Sequence, residues 1–253
     1  MKILLTTQNS LTHLKMKTIK SLFYILPFFL FSCQEEMENN ASLELEFIHK
    51  AGLENFEYEK IYQNEAGNEF SLRLWRTYIS EIRLIKENNE AFAIQDSYHL
   101  IEPQNGNKFS LNLSQIPNGN YKSIEFYIGI AGEENLSGES IGDLDPSNNM
   151  AWNWTTGYKF VRMDGEFQDL EGNRRGVVVH IGTEANLKHQ KFDFKNIKNI
   201  SGEANKLSFE LNLLEAFQNP NTINFEELSD FQFNNEADLI GENYAEGFVN
   251  LIE

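Results

Sequence analysis

The sequence predicts an all-β protein, an antiparallel β-sandwich with long irregular loops. Apolar residues recur at every second position in several short runs, turn-rich segments separate these runs, and helical periodicity is scarce. Period-two alternation is typical of strands with one buried face, and a series of such strands favours a sandwich over βαβ units. The 253 residues are 41% hydrophobic and 13% aromatic, which is enough apolar material for a buried core.

The strand signals follow one another along the chain. The first apolar face carries Leu43, Leu45, Phe47 and His49, and a long run at 72–85 predicts a strand with a bulge or bend. Further strands are predicted at 109–113, 124–130, 177–181 and 207–213, with a turn at 117–120. The segment 211–217 either finishes a strand or begins a short helix. A loop as long as 132–150 is usually functional or disordered.

The N-terminus has the form of an export signal. Three lysines precede the uncharged run LFYILPFFLF at 22–31, which is too short to cross a bilayer as a helix. The run ends in LFSC, which resembles the lipobox of bacterial lipoproteins and makes Cys33 the expected lipidation site. The alternative is a signal peptide cut elsewhere, with Cys33 an incidental thiol. Met16 is a second possible start codon for a more typical signal.

These features predict three segments. Residues 1–32 are a signal peptide, 33–42 a polar lipidated tether, and 43–253 the folded domain. We expect an outer-membrane lipoprotein on the periplasmic or cell-surface side, whose contact with the membrane is through its lipid alone.

Composition and motifs exclude several functions. The net charge of −17 argues against nucleic-acid binding, since little basic surface is available to displace counterions. A single cysteine excludes an internal disulfide framework and a Cys-rich zinc site. The sequence has no GxSxG, HExxH, P-loop or GxGxxG motif. Asp143 and Asp145 have the first spacing of an EF-hand calcium loop, but the Gly and Glu that the loop requires do not follow. We therefore expect no enzymatic activity.

The most distinctive stretch is MAWNWTTGYKF at 150–160. Trp152 and Trp154 lie two apart, so on a strand both would point to the same face. The common reading of such a pair is an aromatic wall of the core. Together with a later H-x-G at His180, however, the stretch resembles the MbnP-like family of copper-associated periplasmic or surface proteins related to methanobactin-operon products. The resembling pieces run in order at 47–52, 62–84, 119–135, 142–160, 171–172, 177–182 and 212–225.

The resemblance implies a β-rich domain that holds one copper ion. His49 matches the early histidine of the family and His180 the late one, while Trp152 and Trp154 occupy its tryptophan motif. It also implies that a partner di-haem enzyme, where one is present, oxidises a tryptophan to kynurenine, which then takes part in the site. Met150 is a further candidate, either as a thioether ligand or as a packing residue.

The chemistry of imidazole makes such a site plausible from the residues themselves, because neutral imidazole binds copper and zinc. His49 ends the apolar face of the first strand, and His180 shares parity with Val178, so we expect both to point inward and to share an ion. The alternative is that each is a core or edge histidine hydrogen-bonded to a carbonyl group. His99 and His189 match nothing and are expected to be solvated.

The sequence therefore predicts a lipid-anchored, extracytoplasmic copper-binding protein for copper acquisition or storage. The alternative is a metal-free binding or scaffold lipoprotein whose aromatic loop contacts a partner or a carbohydrate.

Overall fold

The structure is a computed structural model that describes residues 40–104, 107–136, 142–153, 157–232 and 235–252. The predicted signal peptide, the predicted lipidation site Cys33 and Trp154 lie outside them. The first strand begins at Asn40, so the last three residues of the predicted tether belong to the sheet.

Strands make up more than half of the described chain. The strands are β1 Asn40–Ala51, β2 Glu54–Asn55, β3 Tyr62–Gln63, β4 Glu69–Lys86, β5 Ala91–Ala93, β6 Tyr98–Ile101, β7 Lys108–Pro117, β8 Gly119–Ile128, β9 Ala151–Asn153, β10 Gly157–Gln168, β11 Arg174–Gly182, β12 Lys188–Ile200, β13 Asn205–Asn212, β14 Asp230–Phe231 and β15 Val249–Ile252. The α-helix α1 spans Ala237–Asn243, and 3-10 turns occupy Glu133–Asn135, Gly142–Leu144, Pro146–Asn148, Glu184–Asn186 and Leu213–Phe217.

The strands of the described residues form two sheets. The smaller sheet has the order β15-β13-β1-β2, with β7 also paired to β1. The larger sheet has the order β12-β8-β4-β10-β11-β14, with β3, β5 and β6 paired to β4 and β9 paired to β10. The pairings are antiparallel except for β1 with β13 and β11 with β14, which are parallel.

The main core lies between the two sheets. Phe47 of β1 stacks on Phe209 of β13, with ring centroids 5.3 Å apart, and meets Phe126 of the larger sheet edge to face at 6.4 Å. Residues 43, 45, 47 and 49 of β1 are buried while the residues between them are partly exposed, as the period-two pattern predicts. The predicted β-sandwich is therefore confirmed.

Two local predictions are also confirmed. The register of β4 against β8 shifts between Ser80 and Arg83, where Glu81 has a positive φ of 55°, and this is the predicted bulge. In the 211–217 segment both alternatives hold, since β13 ends at Asn212 and a 3-10 turn follows. The side chain of Asn212 accepts a hydrogen bond from the backbone N–H of Leu214 and so caps that turn.

A second buried cluster covers the outer face of the larger sheet. Tyr78 of β4 and Phe160 of β10 lie on this face, and the segment 142–150 packs Leu144 and Met150 against them. The hydroxyl group of Tyr78 donates a hydrogen bond to the carbonyl oxygen of Asp143 and ties the segment down. The described parts of the long loop are therefore a structured cover over the sheet.

The prediction missed two long strands, β10 and β12, the helix α1, and the short strands β2, β3, β5, β6, β14 and β15. Most residues of β10 are buried, although from Val161 to Gln168 its apolar and polar residues alternate, which is a strand pattern that the prediction overlooked. Among the described residues, no helix is long and apolar enough to cross a membrane.

Candidate metal centre

His180 lies on the outer face of the larger sheet. In β11, Val177, Val179 and Ile181 fill the main core, and the alternation of side chains turns His180 to the opposite face. Its side chain is 13% exposed. Both ring nitrogens have partners: Nε2 is 2.8 Å from Oδ1 of Asp164, and Nδ1 is 2.8 Å from Oε1 of Gln232.

Asp164 is a buried carboxylate held between two cationic or proton-donating groups. Arg162, two residues earlier on β10, donates from Nε to Oδ2 of Asp164 at 2.9 Å, and its Nη2 lies 2.7 Å from the same oxygen as an ion pair. Burial alone would raise the pKa of this carboxyl group. The hydrogen bond from His180 and the charge of Arg162 outweigh that effect and hold the pKa below its ordinary value. Asp164 is therefore an ionised acceptor for the imidazole.

Trp152 of β9 forms a wall beside His180, with ring centroids 5.8 Å apart. Its indole packs against Gly182, where an added Cβ atom would lie 2.8 Å from Nε1 of Trp152 and 2.6 Å from the carbonyl oxygen of Tyr158. The close approach of the indole thus requires glycine at position 182, the glycine of the H-x-G motif.

Lys159 holds the β9 segment in place. Its Nζ atom donates to the carbonyl oxygens of Ala151 at 2.9 Å and Asn149 at 3.3 Å, and lies 4.7 Å from the centroid of the Trp152 ring. Burial, together with the nearby charge of Arg162, lowers the pKa of Lys159 to about 8. The ammonium group thus fixes both the backbone and the indole.

A cleft of about 920 Å³ opens beside the two rings. Its lining is mostly apolar with a few acidic groups, and includes Trp152, Phe160, Leu187, His180, Glu184 and Asp238. Concave sites with apolar walls and a few polar groups are typical ligand-binding sites.

His49 lies in the main core instead. Its side chain is fully buried, its Nδ1 is 3.2 Å from the carbonyl oxygen of Asn107, and its ring meets Trp75 edge to face. The Nε2 atom has no hydrogen-bond partner in the described protein. Because burial disfavours the charged imidazolium, the pKa of His49 falls from 6.5 to about 4, and the ring is neutral at pH 7.

The structure does not bring His49 and His180 together, contrary to the prediction that they face one another. Trp75, which contacts His49, stands opposite Met163 of β10 on the inner face of the larger sheet. His180 stands opposite Arg162, the next residue along β10, and consecutive residues point to opposite faces. The larger sheet therefore separates the two imidazoles.

The error lies in the choice of face for His180. Its parity with Val178 is as predicted, but that shared face is the outer one, and the core face belongs to Val177, Val179 and Ile181. The valines on both faces of β11 hide this in the sequence. In the described residues, no three His, Cys, Asp or Glu side chains form a metal-binding group.

The other predicted candidates are placed as follows. Met150 is fully buried in the second cluster, on the same side of the sheet as His180, which fits the packing role. His189 is exposed, with Nε2 3.5 Å from Glu125. The prediction that His99 is solvated is wrong, because its side chain is only 18% exposed and burial lowers its pKa.

Comparison with known proteins decides the family. A family model described as MbnP matches residues 40–236. The chain belongs to the MbnP family. Among solved structures, MbnP from Methylosinus trichosporium shares 18% sequence identity, with a TM-score of 0.53 over 71% of this chain and 78% of that one. At this identity the likeness shows the fold. No curated protein matches the chain.

Three site residues were missed by sequence reasoning about this MbnP-family chain. Lys159 lay within the quoted aromatic motif, but nothing in its spacing indicated that it is buried over Trp152. Asp164 would have been found once β10 was recognised as a strand, because Arg162 and Asp164 lie two residues apart on one face and their opposite charges predict an ion pair there. Gln232 follows the two-residue strand β14 and carries no signal in the sequence.

Proposed function

We propose that this MbnP-family protein is a lipid-anchored, extracytoplasmic protein that binds one copper ion at His180, as cargo for acquisition or storage. The resemblance found in the sequence connects this family with copper and with methanobactin operons. Copper was predicted at a pair of histidines, and we now assign it to the histidine on the outer face alone.

The observation that supports this assignment is the hydrogen bond between His180 and the buried carboxylate Asp164. Histidines that bind metals typically donate their second ring N–H to a carboxylate, which fixes the tautomer and strengthens the ligand. A site with an imidazole nitrogen donor also generally binds Cu²⁺ more tightly than it binds the other first-row divalent metals. His49 lacks this arrangement, since its partner is a backbone carbonyl group within an apolar core.

The described residues offer copper one imidazole here, and no group of three His, Cys, Asp or Glu side chains surrounds it. Water molecules would supply further donors. As the family resemblance implies, the proposal also includes oxidation of Trp152 or Trp154 to kynurenine wherever a partner di-haem enzyme is encoded. An increase of ~4 Da in the mass of the tryptophan peptide would reveal that modification.

We infer a binding role and not catalysis, because the hydrogen-bond partners of His180 are a carboxylate and an amide. A nucleophile activated by His180 would need a hydroxyl or thiol group in one of these positions. The anchor in this proposal is a lipid on Cys33, which would keep the domain in water at the membrane surface.

Copper titration against a chromophoric chelator tests the proposal. The wild-type protein should bind one copper ion per chain, and His180→Ala should lose most of that affinity. His189→Ala, which removes an exposed histidine, is the matched control and should bind copper like the wild type. Equal copper affinity in the wild type and His180→Ala would reject the site.

The cleft favours a second candidate function, the binding of a small apolar ligand without metal. Trp152 lines this cleft, so its fluorescence reports on occupancy. Quenching by an apolar dye that is unchanged in metal-free protein and in His180→Ala would support this second function.

A further inference from the structure

The two ring nitrogens of His180 face different acceptors, and the structure defines both. Gln232 uses its Nε2 to donate to Oδ1 of Asp230 at 2.9 Å, so its Oε1 is the atom turned toward Nδ1 of His180. On the other side, Nε2 of His180 meets the carboxylate of Asp164, and Arg162 fixes the second oxygen of that carboxylate.

The two acceptors differ in strength and in rigidity. A carboxylate is a stronger acceptor for an N–H group than an amide oxygen. Asp164 is buried within the long strand β10, whereas Gln232 is partly exposed and follows the two-residue strand β14. When one ring nitrogen of His180 must offer its lone pair to a metal ion, the proton therefore stays on Nε2, beside Asp164. Gln232, the weaker partner, then moves away from Nδ1.

We propose that Asp164 is a positioning residue that keeps the proton on Nε2 of His180, so that Nδ1 is the metal-binding nitrogen, and that Gln232 is a displaceable cover over Nδ1. This inference rests on the proposed copper site and assigns roles to two residues that act around it. Asp164 orients the ring through Nε2, and Gln232 occupies the position that an incoming ion takes.

The first test reads the metal-free protein. Long-range ¹H–¹⁵N spectra of histidine-labelled protein at pH 8 report which nitrogen of His180 carries the proton. The wild type should show the Nε2–H tautomer, Asp164→Asn a mixture of tautomers, and Asp164→Glu the wild-type form because the charge is kept. An Nδ1–H tautomer in the wild type, or an unchanged tautomer in Asp164→Asn, overturns the role of Asp164.

The second test is copper affinity in the same variants. Loss of a carboxylate that orients a ligand histidine typically lowers metal affinity by about 10–100-fold, and we expect this for Asp164→Asn. Gln232→Ala should bind copper severalfold more tightly than the wild type, because the cover is gone. Weaker copper binding in Gln232→Ala would show that Gln232 is itself a ligand, and would overturn its proposed role as a displaceable cover.

The two readouts separate this inference from the proposed function. If the wild type binds no copper while the tautomers behave as expected, the copper site fails and the positioning by Asp164 stands. If copper binds at His180 while the tautomer is unaffected by Asp164→Asn, the copper site stands and the positioning fails.

Discussion

The imidazole of His49 and the indole of Trp75 meet edge to face in the main core, with ring centroids 4.8 Å apart. The Nε2 atom of His49 has no hydrogen-bond partner in the described protein, and its Nδ1 reaches only the carbonyl oxygen of Asn107. Burial without a partner costs much more free energy for a charged imidazolium than for a neutral imidazole, so this site favours the neutral ring.

The pH dependence of unfolding should report this burial. The pKa of His49 is about 4 in the folded protein and 6.5 ordinarily, so the unfolded chain binds more protons between these values. Stability is therefore full above pH 6.5 and falls as pH drops toward 4, by about 3 kcal/mol from this residue. Urea unfolding of the wild type and His49→Phe between pH 4 and pH 7 measures the difference. The exposed-site control His189→Gln should follow the wild type, and an identical pH slope in His49→Phe would contradict the account.

Gly165 should not tolerate a methyl group. An added Cβ atom would lie 2.0 Å from the backbone oxygen of Ser71, where β10 shifts register against β4. We expect Gly165→Ala to lower the free energy of unfolding by roughly 2–4 kcal/mol through overpacking against backbone. Gly176→Ala on the neighbouring strand is the matched control, because nothing lies within 4 Å of its added Cβ atom. Equal urea midpoints for the two variants would show that β10 and β4 are further apart than described.

Lys159→Met should loosen β9. The variant removes the donor to the carbonyl oxygens of Asn149 and Ala151 and the cation beside Trp152. The loss of one such hydrogen bond in a buried site corresponds to about tenfold faster amide exchange by local opening. Hydrogen exchange of the amides at 151–153 provides the measurement, with Lys188→Met as a surface control that also loses a bond to a carbonyl group. Unchanged amide exchange in Lys159→Met would show that Lys159 does not hold β9 in place.

The lipid anchor is tested by Cys33→Ala. If Cys33 carries two or three acyl chains, the wild type should fractionate with membranes and the variant with soluble protein, since stable attachment needs more than one chain. Recovery of Cys33→Ala in the membrane fraction would reject lipidation at this residue.

Strand positions could be predicted from the sequence where one face of a strand is polar, as in β1 with its alternation of Leu43, Leu45 and Phe47 with partly exposed residues. Where both faces are covered, as at Val178 and His180, the pattern does not say which face is the core, and the predicted pairing of His49 with His180 failed for that reason. The site partners of His180 come from β10 and from a residue after β14, so only the pairing of distant segments reveals them.

Anomalous diffraction at the copper edge, from crystals of the metal-free protein soaked with one equivalent of copper, would locate the bound ion. We expect one strong peak at bonding distance, ~2 Å, from a ring nitrogen of His180 on the outer face of the larger sheet. A peak at His49 in the main core, or a principal peak on a residue remote from His180, would contradict this expectation.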